Sequence, residues 1–406
     1  MIACFIGVLC GVITGLIPGL HVNNVGALIF VFSAYFLKNF SPEVLSVFLL
    51  SLSVSHALLE FIPSMLLGVP KESTALVVHP AHKMILGGYG KKTIRLVAVG
   101  GLSSILILAF LFPLLSILLP ILEKILKPYI CIILILASIY LLISLNRSVR
   151  STLISTIIFL VSGIFGILVL KLPFSSNVLL TTMFLGLFGV STMLYSLKEN
   201  SYIPYQSEIH NFKVNGNIIR GIISGTFASI FLAFLPGFGP AQGSVIAQEF
   251  CGKNKNEYES LITAISSVNV SDSLFSLLTV YLIGNARSGI AVYISQFLGE
   301  IDLMKILLFI FVGITSVSLS FFICIKIGEW MIENIAELNY KLMTIFIVVI
   351  ITSFVYILSY FENANVILVS FCYFTSIFLG ILPHSLKINK SYLMGCLIIP
   401  AIVMYL

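Results

Sequence analysis

Ile2-Ala3-Cys4-Phe5-Ile6-Gly7-Val8-Leu9-Cys10-Gly11-Val12-Ile13-Thr14-Gly15-Leu16-Ile17 is an uncharged apolar run that stops at Pro18-Gly19-Leu20-His21-Val22-Asn23-Asn24. A helix needs about 20 apolar residues to cross a bilayer core of ~30 Å, so this run is short for a full crossing. Proline removes a backbone donor and interrupts a helix, and glycine permits the dihedrals a break needs. The same signal returns 218 residues later as Pro236-Gly237-Phe238-Gly239-Pro240-Ala241-Gln242. Both copies follow Gly-rich apolar segments, with Gly7, Gly11 and Gly15 before the first and Gly221 and Gly225 before the second.

A second pair of motifs lies beyond the first. Gly68-Val69-Pro70-Lys71-Glu72-Ser73-Thr74-Ala75 recurs 216 residues later as Gly284-Asn285-Ala286-Arg287-Ser288-Gly289-Ile290-Ala291. Lys71 then aligns with Arg287, and His56 with Asp272. Two matches at nearly one offset indicate an internal duplication. The division is a first transmembrane repeat at 1–197, a polar connector at 198–217 and a second repeat at 218–406.

The composition sets the class. Hydrophobic residues make up 59% and charged residues 9% of the chain, and the mean hydropathy is +1.13. A soluble domain carries about 25% charged residues, so this chain lacks the charge to coat a water-facing surface. Long apolar runs at Leu96–Leu122, Ile132–Leu145, Leu153–Leu170, Val178–Leu197, Ile306–Ile325 and Leu342–Tyr360 read as helices, because backbone in lipid must satisfy its own hydrogen bonds. Alternating patterning is absent, so a barrel is not expected. The expected fold is an all-α polytopic membrane protein of two repeats. Each repeat opens with two broken segments (Ile2–Ile17 resuming at about Val25, and Val44–Leu67 resuming at about Ala75 in the first) and continues with three or four spanning helices. The seven cysteines have no paired spacing and read as packing residues.

Loop charge gives orientation. Lys83, Lys91, Lys92 and Arg95 cluster in one expected loop, whereas the counterpart holds Glu300, Asp302 and Lys305. Arg147 and Arg150 mark a second basic loop whose counterpart holds Glu362, and Lys387 and Lys390 face a counterpart at Lys171–Ser176 with one charge. Basic loops mark the cytoplasmic side, so the loops near Lys91 and Arg147 are expected there, in a multi-pass protein of the cell membrane. The alternation between halves predicts inverted topology, a common transporter plan. Lys326, Glu329, Glu333, Glu337 and Lys341 read as an amphipathic surface helix without a site role.

Irregular backbone at membrane depth is tolerated only inside protein or beside a wet cavity. Four matched breaks therefore predict one central cavity. Helix N-termini restarting after the breaks favour an anion, and unwound carbonyls can hold a cation. The candidate binding residues are Pro18, Gly19, His21, Asn23 and Asn24 at the first break, and Pro70, Lys71, Glu72, Ser73 and Thr74 at the second. Pro236, Gly237, Gly239 and Gln242 follow at the third, and Asn285, Arg287 and Ser288 at the fourth, with Asn269 and Asp272 in the segment before it. Charged groups within a bilayer are costly and mark function; Asp272 is the clearest, with Glu60 and His56 as its first-half equivalents. Structural readings stand beside these: Lys71 and Glu72 can pair with each other, Asn23 and Asn24 can serve broken backbone, His56 can be a buried hydrogen-bonded histidine, and His79 and His82 can face solvent.

At these motifs the chain resembles the TctA family, the large membrane subunit of tripartite tricarboxylate transporters. The resemblance rests on Gly11-x-x-x-Gly15-x-x-Pro18-Gly19, on Leu67-Gly68-Val69-Pro70 with Ser73-Thr74-Ala75, and on Pro236-Gly237-Phe238-Gly239. It spans both halves. It departs from the citrate-type pattern at His21-Val22-Asn23 and at Ser266–Asp272, which marks a divergent branch. The resemblance implies a secondary-active permease of organic anions such as carboxylates, coupled to a Na⁺ or H⁺ gradient and needing no cofactor. It also implies a small membrane subunit and an extracytoplasmic binding protein as partners, besides the lipid bilayer, the small-molecule anion and a second copy of the chain; no nucleic acid is expected. The alternative is a polyprenyl-phosphate or other lipid-phosphate translocase, since the same breaks and cations suit a phosphate headgroup. An enzyme is not expected: no His-Glu-x-x-His helix occurs, and Ser288-Gly289 lacks the upstream glycine of a rhomboid-type serine.

Overall fold

The computed structural model describes residues 1–17, 22–67, 74–144, 146, 148–197, 206–207, 212–235, 238–251, 257–334 and 340–406. No strand occurs among them. Before the connector stand α1 (Ile2–Leu16), α2 (Val22–Val31), α3 (Ser33–Phe36), α4 (Pro42–Leu59), α5 (Phe61–Leu67), α6 (Ala75–Leu86) and α7 (Gly90–Leu126). They are followed by α8 (Ile130–Ser144), α9 (Val149–Leu170), α10 (Ser176–Phe184) and α11 (Ser191–Ser196), the last two joined by a π-helical segment, Leu185–Val190. After the connector come α12 (Gly216–Leu232), α13 (Pro240–Cys251), α14 (Glu257–Ile283), α15 (Gly289–Leu298), α16 (Leu303–Asn334), α17 (Tyr340–Phe361), α18 (Val366–Ser385) and α19 (Gly395–Tyr405). Eight helical segments among the described residues are long and apolar enough to cross a membrane. The chain is an all-α polytopic membrane protein.

Short polar caps start the helices where the apolar runs begin. Ser41 and Pro42 open α4, Ser148 forms a capping box with Ser151 on α9, and Asn215 and Asn365 cap α12 and α18. Each side-chain cap satisfies N–H groups that the helix cannot. The helix α7 has 37 residues, ~55 Å at 1.5 Å per residue and longer than a ~30 Å hydrocarbon core.

Glycine allows close helix pairing, and two such pairings share one register. A Cβ on Gly7 of α1 would sit 2.5 Å from the Phe48 carbonyl oxygen and 2.9 Å from Ser51 Cβ on α4. A Cβ on Gly225 of α12 would sit 2.3 Å from the Ala264 carbonyl oxygen and 2.6 Å from Ser267 Cβ on α14. Gly7 and Gly225 are 218 residues apart, and Phe48 and Ala264, like Ser51 and Ser267, are 216 apart. Small residues let backbones approach where lipid supplies no hydrophobic drive between helices. The spacing of the Pro-Gly motifs thus reappears as a spacing of contacts.

Polar bonds set helix direction. Lys92 pairs with Glu259, Ser266 Oγ donates to the Val97 carbonyl at 2.6 Å and Ser267 Oγ to the Gly100 carbonyl at 3.0 Å, so α7 and α14 run parallel. Lys91 pairs with Glu333 at 2.7 Å and Arg95 with Glu329 at 2.8 Å, so α16 runs antiparallel to α7.

Three expectations are corrected. Lys91, Lys92 and Arg95 stand on the first turns of α7 rather than in a loop. Lys326, Glu329 and Glu333 belong to the last turns of the 32-residue α16, where the two glutamates pair with those basic groups; Lys341 is on α17 and Glu337 lies outside the described residues. The run Val44–Leu67 is helical throughout as expected, α4 continuing into α5 through Glu60 in αR conformation, with one ladder bond missing because Pro63 has no N–H for the Leu59 carbonyl. The first break ends at Val22, not Val25, so Asn23 and Asn24 sit in the first turn of α2.

Candidate functional site

The site is built along α14. Asn269, Asp272, Ser273 and Ser276 occupy steps of three and four residues, so they share one helix face. Asp272 lies thirteen residues beyond Glu259 and eleven before Ile283, ~20 Å and ~16 Å along the axis, which places it mid-way.

The α14 helix ends at Gly284, whose φ of 66° is left-handed and suits glycine. Thr279 Oγ1 donates to the Asn285 carbonyl at 2.8 Å, and the chain doubles back. Ser276 Oγ then donates to Ser288 Oγ at 2.5 Å, and Ser288 Oγ caps α15 by accepting from Ala291 N at 3.1 Å. The Arg287 side chain is thereby aimed inward. Its Nη1 is 3.4 Å from Asp272 Oδ1, and its Nη2 donates to the Phe238 carbonyl oxygen at 2.8 Å. The side chains are 5% and 13% exposed. A buried ion pair must recover a large desolvation cost through good geometry. Here one contact is long, and a neutral carbonyl takes the better bond. The guanidinium is therefore held in place but not neutralised at close range by Asp272.

Phe238 and Gly239 belong to the third break. Gln242, in the first turn of α13, accepts from Gly239 N through Oε1 at 2.8 Å. Its side chain is fully buried, and its Nε2 finds no acceptor among the described residues. Gln242 and Arg287 thus bond to consecutive residues of one break, Gln242 by accepting from Gly239 N and Arg287 by donating to the Phe238 carbonyl.

The first break joins the fourth. Asn23 Oδ1 accepts from Ile290 N at 3.3 Å. A Cβ on Gly289 would lie 2.9 Å from Asn23 Cγ, and one on Gly26 would lie 2.6 Å from Ile290 Cδ1. Phe30 stacks on Tyr293 with centroids 5.2 Å apart. The helices that restart after the first and fourth breaks, α2 and α15, therefore pack directly on each other.

A second polar cluster ties α1, α4 and α14. His56 Nε2 lies 3.4 Å from Glu60 Oε2, and Thr14 Oγ1 lies 2.9 Å from His56 Nδ1. Asn269 Nδ2 donates to Glu60 Oε1 at 2.6 Å and to the Ala57 carbonyl at 2.9 Å. The end of the second break reaches this cluster, since Thr74 Oγ1 donates to Ser64 Oγ, which donates to the Glu60 carbonyl, each at 2.8 Å.

Of the residues expected at the site, Asn23, Thr74, Gly239, Gln242, Asn269, Asp272, Arg287 and Ser288 fall in these networks. Asn285 enters them only through its backbone, whose carbonyl accepts from Thr279 Oγ1; the residue is exposed, beside a cavity of about 160 Å³ lined by Phe234, Ile283, Gly284, Glu123 and Lys127. Pro18, Gly19, His21, Pro70, Lys71, Glu72, Ser73, Pro236 and Gly237 lie outside the described residues, as does the side chain of Asn24. Sequence reasoning missed Thr14, Ser276 and the Phe238 carbonyl; Ser276 alone carried a signal, one turn beyond Asp272. It also placed Lys390 in a loop, whereas its Nζ is buried against the π-helical segment, donating to the Phe188 carbonyl at 3.0 Å, to Ser191 Oγ at 2.9 Å and to Thr192 Oγ1.

The model of the tripartite tricarboxylate transporter TctA family matches residues 1–395. The chain belongs to that family, a family of membrane transport proteins. It is similar to an uncharacterized protein of Methanocaldococcus jannaschii, 33% identical over 415 residues that cover 99% of this chain and 98% of that protein. No solved structure matches this chain.

Proposed function

We propose that this TctA-family chain is the permease of a secondary-active transporter for organic anions of the carboxylate class, driven by a Na⁺ or H⁺ gradient. The observation that carries the reading is Arg287: a buried guanidinium half-way along α14, held at a chain break between Asp272 and the Phe238 carbonyl. A planar guanidinium matches a carboxylate in two-point geometry. The Gln242 amide nitrogen, buried without an acceptor among the described residues, and the N-termini of α13 and α15 add polarity of the same sign.

The mechanism is alternating access between two inverted repeats. The shared register of Gly7 and Gly225, and the antiparallel course of α7 and α16, support that reading. Anion binding draws Arg287 from its long contact with Asp272, and the packed pairs α2 with α15 and α6 with α13 move with the halves they bridge. The family's transporters are tripartite by name, so a small membrane subunit and an extracytoplasmic binding protein are the expected partners. Transport without covalent chemistry makes the chain a carrier rather than an enzyme.

The test is uptake of radiolabelled citrate, malate and succinate by proteoliposomes holding the purified protein, with and without ion gradients. Saturable uptake of one of these, lost in Arg287→Ala, is the expected result. Uptake of none, together with binding of a polyprenyl phosphate that depends on Arg287, would replace this reading with lipid-phosphate translocation.

A further inference from the structure

Asp272 is a buried carboxylate held by a single long contact. Its Oδ1 lies 3.4 Å from Arg287 Nη1, and no other hydrogen bond or ion pair from a described residue reaches either of its oxygens. An ionised carboxylate has room for about four such bonds. Ser273 and Ser276 share its helix face, but their hydroxyls donate to the Asn269 carbonyl at 3.5 Å and to Ser288 Oγ at 2.5 Å. Arg287 is better placed, because its Nη2 keeps the Phe238 carbonyl at 2.8 Å. A substrate carboxylate arriving at the guanidinium therefore displaces Asp272, the weaker partner, and leaves the guanidinium anchored to Phe238.

The change of charge on loading then dictates what else must bind. Whatever fixed charge lies around the pair, an anion loaded alone makes the site one unit more negative. A proton loaded alone makes it one unit more positive. Loading one carboxylate on Arg287 and one proton on Asp272 leaves the charge as it was. A change of net charge at this depth is costly, and a buried carboxylate stripped of its counter-charge neutralises by taking up a proton. The empty site and the doubly loaded site are thus the two states that cross cheaply between access states. A metal cation beside Oδ1 would stand next to the guanidinium and want several further oxygens; a proton needs none beyond the carboxyl itself.

The helices α4, α6, α7, α12, α13, α15 and α16 pack on α14. Most of their ionisable groups sit at helix ends. Lys91, Lys92 and Arg95 at the start of α7 pair with Glu333, Glu259 and Glu329, and Glu123 and Lys124 lie in its last turn. Glu43 opens α4, Lys305 and Lys326 lie towards the two ends of α16, and Arg220 of α12, Glu249 of α13 and Lys83 of α6 are exposed. Glu60 of α4, beside His56, meets α14 at Asn269, one turn from Asp272. The phenol of Tyr293 on α15 stacks on Phe30, and Cys251 and Cys324 contribute thiols from α13 and α16. The side chains of His79 and His82 on α6 lie outside the described residues. Among the described groups, Arg287 is the one whose charge reaches Asp272.

We infer that Asp272 is the proton-carrying group of the transport cycle: a substrate carboxylate and Asp272 exchange places on Arg287, and Asp272 takes up one proton from the side to which the site is open. This rests on the carrier reading and names its coupling ion. Release reverses both events, so the anion leaves with the proton and Asp272 returns to Arg287.

The experiment uses the full chain purified in detergent, titrated with malate, succinate and citrate at about pH 7.5 and about pH 8.5, far above the ordinary carboxyl range near 4. Calorimetry in two buffers of different ionisation enthalpy counts the protons. Wild type should take up about one proton per anion bound, with affinity weakening up to about tenfold as the pH rises by one unit. Its infrared difference spectrum on binding should gain a carboxylic-acid carbonyl band. Asp272→Asn removes the competitor for Arg287, so it should bind the anion at least as tightly as wild type at the higher pH, with no proton uptake, no pH dependence and no such band. Proton uptake that persists in Asp272→Asn, or an affinity that follows Na⁺ instead of pH, overturns the inference. Where Asp272→Asn does not fold, the wild-type band decides: its survival in Glu60→Gln supports the inference, and its absence from wild type or its loss in Glu60→Gln refutes it. An anion bound without a proton sinks this inference alone, whereas binding of none of the three anions sinks the carrier reading and this inference with it.

Discussion

Arg287 donates Nη2 to the carbonyl oxygen of Phe238 at 2.8 Å, so the fourth chain break is fastened to the third through a charged side chain. The bond spans 49 residues and fixes a guanidinium where apolar sequence surrounds it on both sides.

Arg287→Ala leaves Asp272 without a counter-charge, and breaking one side of a buried pair costs about 3–5 kcal/mol. Arg287→Lys should fail to restore function, because one ammonium cannot hold Asp272 and the Phe238 carbonyl in a planar fork. Initial rates of anion uptake should fall at least about tenfold in both. Wild-type rates in the lysine variant would show that charge alone suffices.

Gly7→Ala and Gly225→Ala should be equally harmful. Each places a methyl within 2.5 Å of a carbonyl oxygen on the partner helix, and overpacking of this kind costs about 1–3 kcal/mol. Thermal unfolding of the two variants in detergent checks this. A large drop in one and none in the other would mean that the two helix pairs are not packed alike.

Asn23→Ala and Gly289→Ala should interact. The amide of Asn23 takes the Ile290 N–H, and a methyl on Gly289 would press on that amide. In a double-mutant cycle the coupling should be about 0.5–3 kcal/mol, the range for residues in contact. Strict additivity would separate α2 from α15.

Lys390→Met should be tolerated. Ser191 Oγ and Thr192 Oγ1 keep their bonds to the Leu187 and Phe188 carbonyls without the ammonium, and an apolar side chain of similar length removes a buried charge. The expected change in stability is within about 1 kcal/mol. Lys390→Glu should fail to fold, since carbonyl and hydroxyl oxygens then face a carboxylate. A large loss in Lys390→Met, measured by unfolding in detergent, would assign the ammonium a stabilising role.

Cysteines placed at Tyr89 and Asn334 should react with a membrane-impermeant thiol reagent only after cells are permeabilised, and one at Glu300 in intact cells. The Lys91–Glu333 and Arg95–Glu329 pairs put the start of α7 and the end of α16 at one face, with the 32-residue α16 between that face and Glu300. Basic groups at that face predict that it is cytoplasmic. Labelling in the reverse order would invert the orientation.

Much of the fold was legible because its signals are local. Apolar length marks a spanning helix wherever it occurs, and Pro-Gly or Gly-x-Pro marks a break by its own backbone chemistry. The candidate residues Asp272, Arg287, Gln242 and Asn269 could be named because polar groups stand out in apolar text. Their partners could not. Thr14 looks like any small residue on a Gly-rich helix, and Phe238 acts only through its carbonyl, which every residue has.

What the sequence alone determined is therefore the class of the protein, the places where helices stop, and which side chains are costly enough to need a reason. Those follow from hydrophobicity and backbone geometry, which act over a few residues. What only the tertiary structure decided is which costly groups meet. Arg287 with Asp272 and Phe238, Glu60 with Asn269, and Lys390 with the π-helical segment all join elements far apart in the chain. Hydrogen bonds of about 3 Å depend on how helices cross, and no local pattern encodes a crossing.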